Sequence, residues 1–182
     1  VETNAVTLDN FILEMMGIPS RDLTLAQLDA LFQRLDLNDD LIRKNIFFNE
    51  NAYARNLVCR TPRFDMLVLC WRPGQVTTVH DHVNSLNVTR VFEGILTARN
   101  FEIAERPSEE KAITKLVREE TLESDTVSNV DFGGIHQLAN TSDGDLITIH
   151  VYAPPLKDIT VYYPSGNFER VALRYTLEDE FA

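Results

Sequence analysis

The chain has 182 residues, 44% of them hydrophobic and 25% charged, which suits a single folded, soluble domain with a substantial core. Its net charge of −11, with acids spread through the chain, would repel a phosphate backbone and argues against nucleic-acid binding. No apolar run approaches the ~18–20 residues needed to cross a bilayer, and two cysteines, Cys59 and Cys70, make no disulfide framework or zinc knuckle. Val1 to Leu13 lacks a basic segment followed by an apolar one, so no signal peptide is expected. Buried free thiols in a cytoplasmic protein are the expectation.

The first fifty residues read as helical. Leu8, Phe11, Ile12, Met15 and Met16 recur at helical spacing until Gly17-Ile18-Pro19 ends the segment. Thr24-Leu25-Ala26-Gln27 opens a second helix with Leu25, Leu28, Leu31, Phe32 and Leu35 on one stripe. Asn38-Asp39-Asp40 suits the cap of a third, short helix carrying Leu41, Ile42 and Ile46. Such stripes are ordinarily core.

Beyond residue 50 the texture changes to short segments rich in β-branched and aromatic residues, at 53–59, 64–71, 86–93, 95–104, 112–119, 145–153 and 159–163. Turn clusters separate them, among them Arg72-Pro73-Gly74, Glu93-Gly94, Arg106-Pro107-Ser108, Gly133-Gly134 and Thr141-Ser142-Asp143-Gly144. Many strands without intervening helices predict an all-β sandwich, barrel or jelly roll. The expected layout over residues 1–182 is one domain, with a helical cap at 1–50 and a β-barrel at 51–182. No coiled coil or long apolar stripe is left over, so a monomer is expected.

The four histidines are His80, His82, His136 and His150. If residues 76–82 are extended, His80 and His82 share a face. Facing inward they are costly unless a metal ion satisfies them; the plainer alternative is a solvated His-x-His outside a barrel. The wider spacing is more specific. Gly74, His80, His82 and Gly94 stand at the positions of the first cupin motif, with Asn87 where that motif has Glu. Gly133, His136 and Asn140 match the end of the second motif, with Asp131 in place of its proline. The chain thus resembles the cupins, which implies a double-stranded β-helix, or jelly-roll, fold. Three neutral imidazoles leave the metal its full charge and open positions, a setting that favours an anionic ligand such as a thiolate.

Over roughly residues 50–165 the sequence is similar to the cysteine dioxygenase family. The stretches that carry this are 53–57 (Tyr-Ala-Arg-Asn-Leu), 69–71 (Leu-Cys-Trp), 80–85 (His-Asp-His-Val-Asn-Ser), 136–140 (His-Gln-Leu-Ala-Asn) and 148–155 (Thr-Ile-His-Val-Tyr-Ala-Pro-Pro). The resemblance implies Fe(II) on His80, His82 and His136, and a small thiol that reacts with O2 to give a sulfinic acid. It assigns the substrate carboxylate to Arg55, with Tyr53 two residues away on the same face. It makes Thr148, His150 and Tyr152 a hydrogen-bonded relay, with Thr148 in place of the family's serine, and implies a cis Ala153–Pro154 bond. A buried, satisfied His–Tyr pair is the plainer reading of that relay. In the related 3-mercaptopropionate dioxygenases a glutamine tends to replace the arginine, and an arginine follows the Pro-Pro segment; this chain has Arg55 early and Ile159 late. That favours L-cysteine over a mercapto acid. Asn87 stands where animal members carry a cysteine crosslinked to tyrosine, so no crosslink is expected, as in bacterial members. Asn87 could also reshape the pocket towards a different thiol. The remaining alternative is a non-catalytic cupin that binds a metal.

Overall fold

In the computed structural model of the protein, residues 5–176 are described. The expectation about a leader at the N-terminus, and the outer ends of the 1–182 domain, therefore fall partly outside the described residues. Helix α1 (Leu8–Gly17) starts where the Thr7 hydroxyl accepts from Asn10 N. Helix α2 (Leu25–Gln33) opens on a capping box in which Thr24 and Gln27 satisfy each other's backbone N–H groups. The third helix, α3 (Asp40–Arg43), is a single turn capped by Asp39. It is shorter than the apolar spacing predicted: Ile42 is buried, whereas Leu41 is exposed and Ile46 lies beyond its end.

Eleven strands follow among the described residues: β1 (Ala54–Arg60), β2 (Asp65–Trp71), β3 (Val79–Asp81), β4 (Leu86–Glu93), β5 (Leu96–Ser108), β6 (Lys111–Leu122), β7 (Val127–Val130), β8 (Ile135–Ala139), β9 (Leu146–Ala153), β10 (Asp158–Tyr162) and β11 (Phe168–Ala172). They form two antiparallel sheets, ordered β1-β2-β9-β4-β7 and β11-β10-β3-β8-β5-β6. Strands distant in sequence lie side by side, as a jelly roll requires. The fold is thus a mostly β, double-stranded β-helix with short helices in front of it.

Every residue of β2 and of β9 is buried, because both faces of this sheet are covered. Met66, Val68 and Cys70 of β2, with Ile147, Ile149 and Val151 of β9, pack against Phe11, Met15, Leu28 and Phe32 of the helices. The alternate residues Leu67, Leu69 and Trp71, with Leu146 and Tyr152, face Ala98, Leu138, Ile159 and Val161 of the other sheet. The period of two along each strand therefore divides a helix-facing core from the barrel interior.

Three strands, β7, β8 and β11, escape the sequence pattern. Each is short; β8 carries His136 and Gln137 among its five residues, and β11 has exposed Glu169 and Arg170. The predicted turn at 106–108 is instead the end of β5, whose register shifts between Glu105 and Ser108. Pro107 is accommodated at that irregularity, where the ladder needs no donor from it.

Candidate metal centre and its surroundings

His80 in β3 pairs directly with His136 in β8. Residues fifty-six positions apart are thus placed on neighbouring strands of one sheet. His82 lies one residue past the end of β3, and a tight turn aims it inward. The Asp81 carboxylate accepts from Val83 N at 2.9 Å, and Val83 has a φ of 54°. A β-branched residue pays about 1–3 kcal/mol for that left-handed conformation. Asp81 Oδ2 also accepts from the buried Tyr162 hydroxyl at 2.8 Å, which anchors the turn on β10.

The three imidazoles converge through one edge. His136 Nε2 lies 3.2 Å from His80 Nε2 and 3.0 Å from His82 Nε2. His80 Nδ1 is 2.9 Å from the Thr78 carbonyl, which fixes the proton on Nδ1 and turns the Nε2 lone pair towards its neighbours. A proton on His136 Nε2 would satisfy one neighbour at most; one cation satisfies all three. Nitrogens about 2.1 Å from a shared ion stand about 3.0–3.4 Å apart, so the spacing fits a bound metal. His82 Nδ1 is buried without a hydrogen-bond partner, and its ring is held edge-on to His136 and Tyr152. Burial drives all three towards the neutral, ligating form: His80 falls to about 4, and His82 and His136 lie well below their ordinary value. Both cysteines stand outside this cluster. Burial lifts each thiol to about 11; Cys70 is buried, but Cys59 is only half-buried, a correction to the sequence expectation.

Beside the triad, Thr148, His150 and Tyr152 line one face of β9, as alternation predicts. His150 Nε2 lies 2.8 Å from Thr148 Oγ1, and its Nδ1 lies 3.3 Å from the Tyr152 hydroxyl. The chain of contacts is longer than the sequence suggested. Trp71 Nε1 donates to Thr148 Oγ1 at 2.9 Å, and Thr89 Oγ1 sits 2.9 Å from His150 Nδ1. Thr89 in turn contacts Asn87 Oδ1 at 3.1 Å. Thr89 and Trp71 were not picked out as site residues, although Thr89 follows Asn87 by two and so shares its strand face. Burial lowers His150 to about 3, aided by the Arg55 charge, and burial raises the Tyr152 phenol above its ordinary value despite that charge.

Arg55 pairs with Leu69 across β1 and β2, which places it on the interior face. Together with Tyr53, Thr77, His80, His136, Leu138, Tyr152 and Ile159, it lines a narrow cavity that meets two of the three histidines. Arg55 is the only cationic side chain among the described residues lining it, and its Nε is buried without a hydrogen-bond partner. The Tyr53 ring stacks on Trp71 at 4.4 Å and 16°. A broader depression of about 700 Å³ meets His82 from another side, bordered by Arg60, Pro154, Pro155 and Lys157. The Ala153–Pro154 bond is cis. Asn87 is buried and is not among the residues lining this cavity.

The fold and these residues define a cupin barrel with a three-histidine candidate metal centre. The family model described as cysteine dioxygenase type I matches residues 3–165, and the chain belongs to that family. It is 31% identical over 111 residues to cysteine dioxygenase type 1 of Rattus norvegicus, covering 59% of this chain and 54% of that protein. Against the protein of the same name from Danio rerio the identity is 24% over 160 residues, covering 86% of this chain and 79% of that one. The chain spans about half the length of the mammalian relatives it matches. Among solved structures, TT1209 from Thermus thermophilus superposes with a TM-score of 0.52 at 22% identity, over 63% of this chain and 94% of that one. A protein with a double-stranded β-helix domain from Klebsiella pneumoniae gives 0.50 at 16% identity, over 71% and 86%. These likenesses concern the fold alone.

Proposed function

We propose that the protein is an iron-dependent thiol dioxygenase that converts the thiol of L-cysteine to a sulfinic acid, both oxygen atoms coming from O2. His80, His82 and His136 would hold Fe(II), which supplies the activation of O2 and a place for the substrate sulfur. The observation that carries this reading is the Arg55 guanidinium: it shares a narrow cavity with His80 and His136 of the triad and has a buried Nε without a hydrogen-bond partner. A buried donor of this kind costs free energy until an anion meets it, and its planar fork suits a carboxylate. Stacking on Trp71 holds Tyr53 beside it. Tyr152 adds a protonated hydroxyl at the cavity wall, and the narrow cavity keeps bulk water from the reacting groups.

Anaerobic metal analysis followed by oxygen uptake on a panel of thiols tests the proposal. Near-stoichiometric iron and the highest kcat/KM with L-cysteine are expected. Arg55→Gln should raise the KM for cysteine by about 10- to 100-fold, an estimate for a lost charged hydrogen bond, and should leave that for cysteamine, which lacks a carboxylate, nearly unchanged. A preference for 3-mercaptopropionate would move the substrate to a mercapto acid, whose carboxylate Arg55 also fits. Iron without uptake on any thiol would leave a non-catalytic metal-binding cupin.

A further inference from the structure

Asn87 faces Tyr152 across the pairing of β4 and β9, yet its amide is spent on a branch of buried hydrogen bonds. Nδ2 lies 3.2 Å from the Val151 carbonyl and 3.3 Å from that of Val88. Carbonyl oxygens only accept, so the group facing both is the NH2, and the amide orientation follows. Oδ1 is thereby turned to Thr89 Oγ1 at 3.1 Å and takes that hydroxyl's single proton. Thr89 Oγ1 has then only lone pairs to offer His150 Nδ1 at 2.9 Å, so Nδ1 carries a hydrogen.

The other end of the chain accommodates the same state. An indole N–H only donates, so Trp71 Nε1 donates to Thr148 Oγ1 at 2.9 Å, and the Thr148 proton is free to go to His150 Nε2 at 2.8 Å once Thr89 has placed the imidazole hydrogen on Nδ1. Trp71, Asn87, Thr89, Thr148 and His150 are all at most 2% exposed, so bulk solvent does not compete for these hydrogen bonds. We propose that Asn87 and Thr89 are positioning residues that lock His150 as its Nδ1–H tautomer, so that the imidazole cannot take the Tyr152 proton. The phenol then keeps its proton for a ligand in the cavity it shares with Arg55, His80 and His136. At 3.3 Å the His150 N–H, already given to Thr89, at most leans towards the phenol oxygen. Thr148, His150 and Tyr152 are therefore a fixed scaffold that ends at the tyrosine, in place of a relay that draws protons from it.

The tautomer stands on the hydrogen-bond geometry; its consequence for turnover rests on the dioxygenase reading above. Long-range 1H–15N correlation spectra of the metal-free, histidine-labelled protein read the tautomer directly, with His150→Gln assigning the signal. His150 should be Nδ1–H in the natural sequence and in Thr89→Ser. It should move to Nε2–H, or to a mixture, in Thr89→Val, which removes the acceptor, and in Asn87→Ala, which frees the Thr89 proton for Nδ1. The kcat for oxygen uptake should fall about tenfold in both variants with KM little changed, as for partners that orient a site. Nε2–H in the natural sequence overturns the proposal, as does an unchanged tautomer in whichever of the two variants folds. Absence of uptake with every thiol, with the tautomer as expected, would instead remove the dioxygenase reading alone.

Discussion

His80, His82, His136 and His150 are buried imidazoles, and burial of a neutral base has a cost that appears in acid. His80 and His150 titrate near 4 and 3 in the folded chain, against about 6.5 in an unfolded one. Below 6.5 the unfolded state binds more protons, so it gains on the folded state as pH falls. The sign is fixed: the full stability is present above about 6.5, is lost progressively towards the folded values, and the loss is complete below them. Each such histidine contributes a slope of up to about 1.4 kcal/mol per pH unit in that window. Urea titrations of the metal-free protein should show more than one proton taken up on unfolding between pH 6 and 4; a flat profile there would contradict the neutral cluster. The identities of the three converging histidines were legible through the resemblance to the two cupin motifs; a shared strand face does not account for them, since His82 lies past the end of β3 and His136 is on β8. The surroundings of His150 were not, since Thr89 reaches it from β4 and Trp71 reaches its neighbour Thr148 from β2.

At the level of strands and turns, alternation decides which side chains meet. On β9, Leu146, Thr148, His150 and Tyr152 enter the barrel while Ile147, Ile149 and Val151 meet the helices, so a slip of one residue would exchange the polar chain for aliphatics. The turn after β4 is equally constrained. Gly94 has a φ of 90°, and a Cβ there would stand 2.4 Å from the Asp145 carbonyl oxygen and 3.0 Å from Leu146 Cα. Both obstacles are backbone at the start of β9, which has little room to move. Gly94→Ala should therefore cost at least about 2 kcal/mol, seen as a lower denaturation midpoint with the slope unchanged. The sequence marked this glycine as a turn, but only the packing of Asp145 on it explains why no side chain fits. The short strands β7, β8 and β11 stayed hidden because four or five residues with polar members carry too little periodicity.

Across the whole molecule, the helices close the outer face of the sheet whose inner face carries Arg55 and Tyr152. Phe11 is fully buried between Phe32, with ring centroids at 6.2 Å, and Phe64, at 5.8 Å and nearly perpendicular. It thereby links both longer helices to the barrel. Phe11→Ala should destabilise the protein by about 3–5 kcal/mol, measured by thermal or urea unfolding. Metal content per folded chain should stay unchanged, because the triad lies on the opposite sheet. Loss of metal at full folding would show that the helical layer reaches the site. What the sequence by itself determined is the class of fold, from strand periodicity and turn residues, and, through the resemblance of two short motifs to the cupins, the donor set; each of these signals can be read within about two dozen residues. What only the tertiary structure decided is which distant groups meet. The pairing of β3 with β8 brings His80 to His136, β1 turns Arg55 over them, and β2 and β4 flank β9 so that Trp71, Thr89 and Asn87 set the state of His150. Those contacts depend on strand order and register, which arise from burying two faces of a sheet at once and leave no pattern in a single segment.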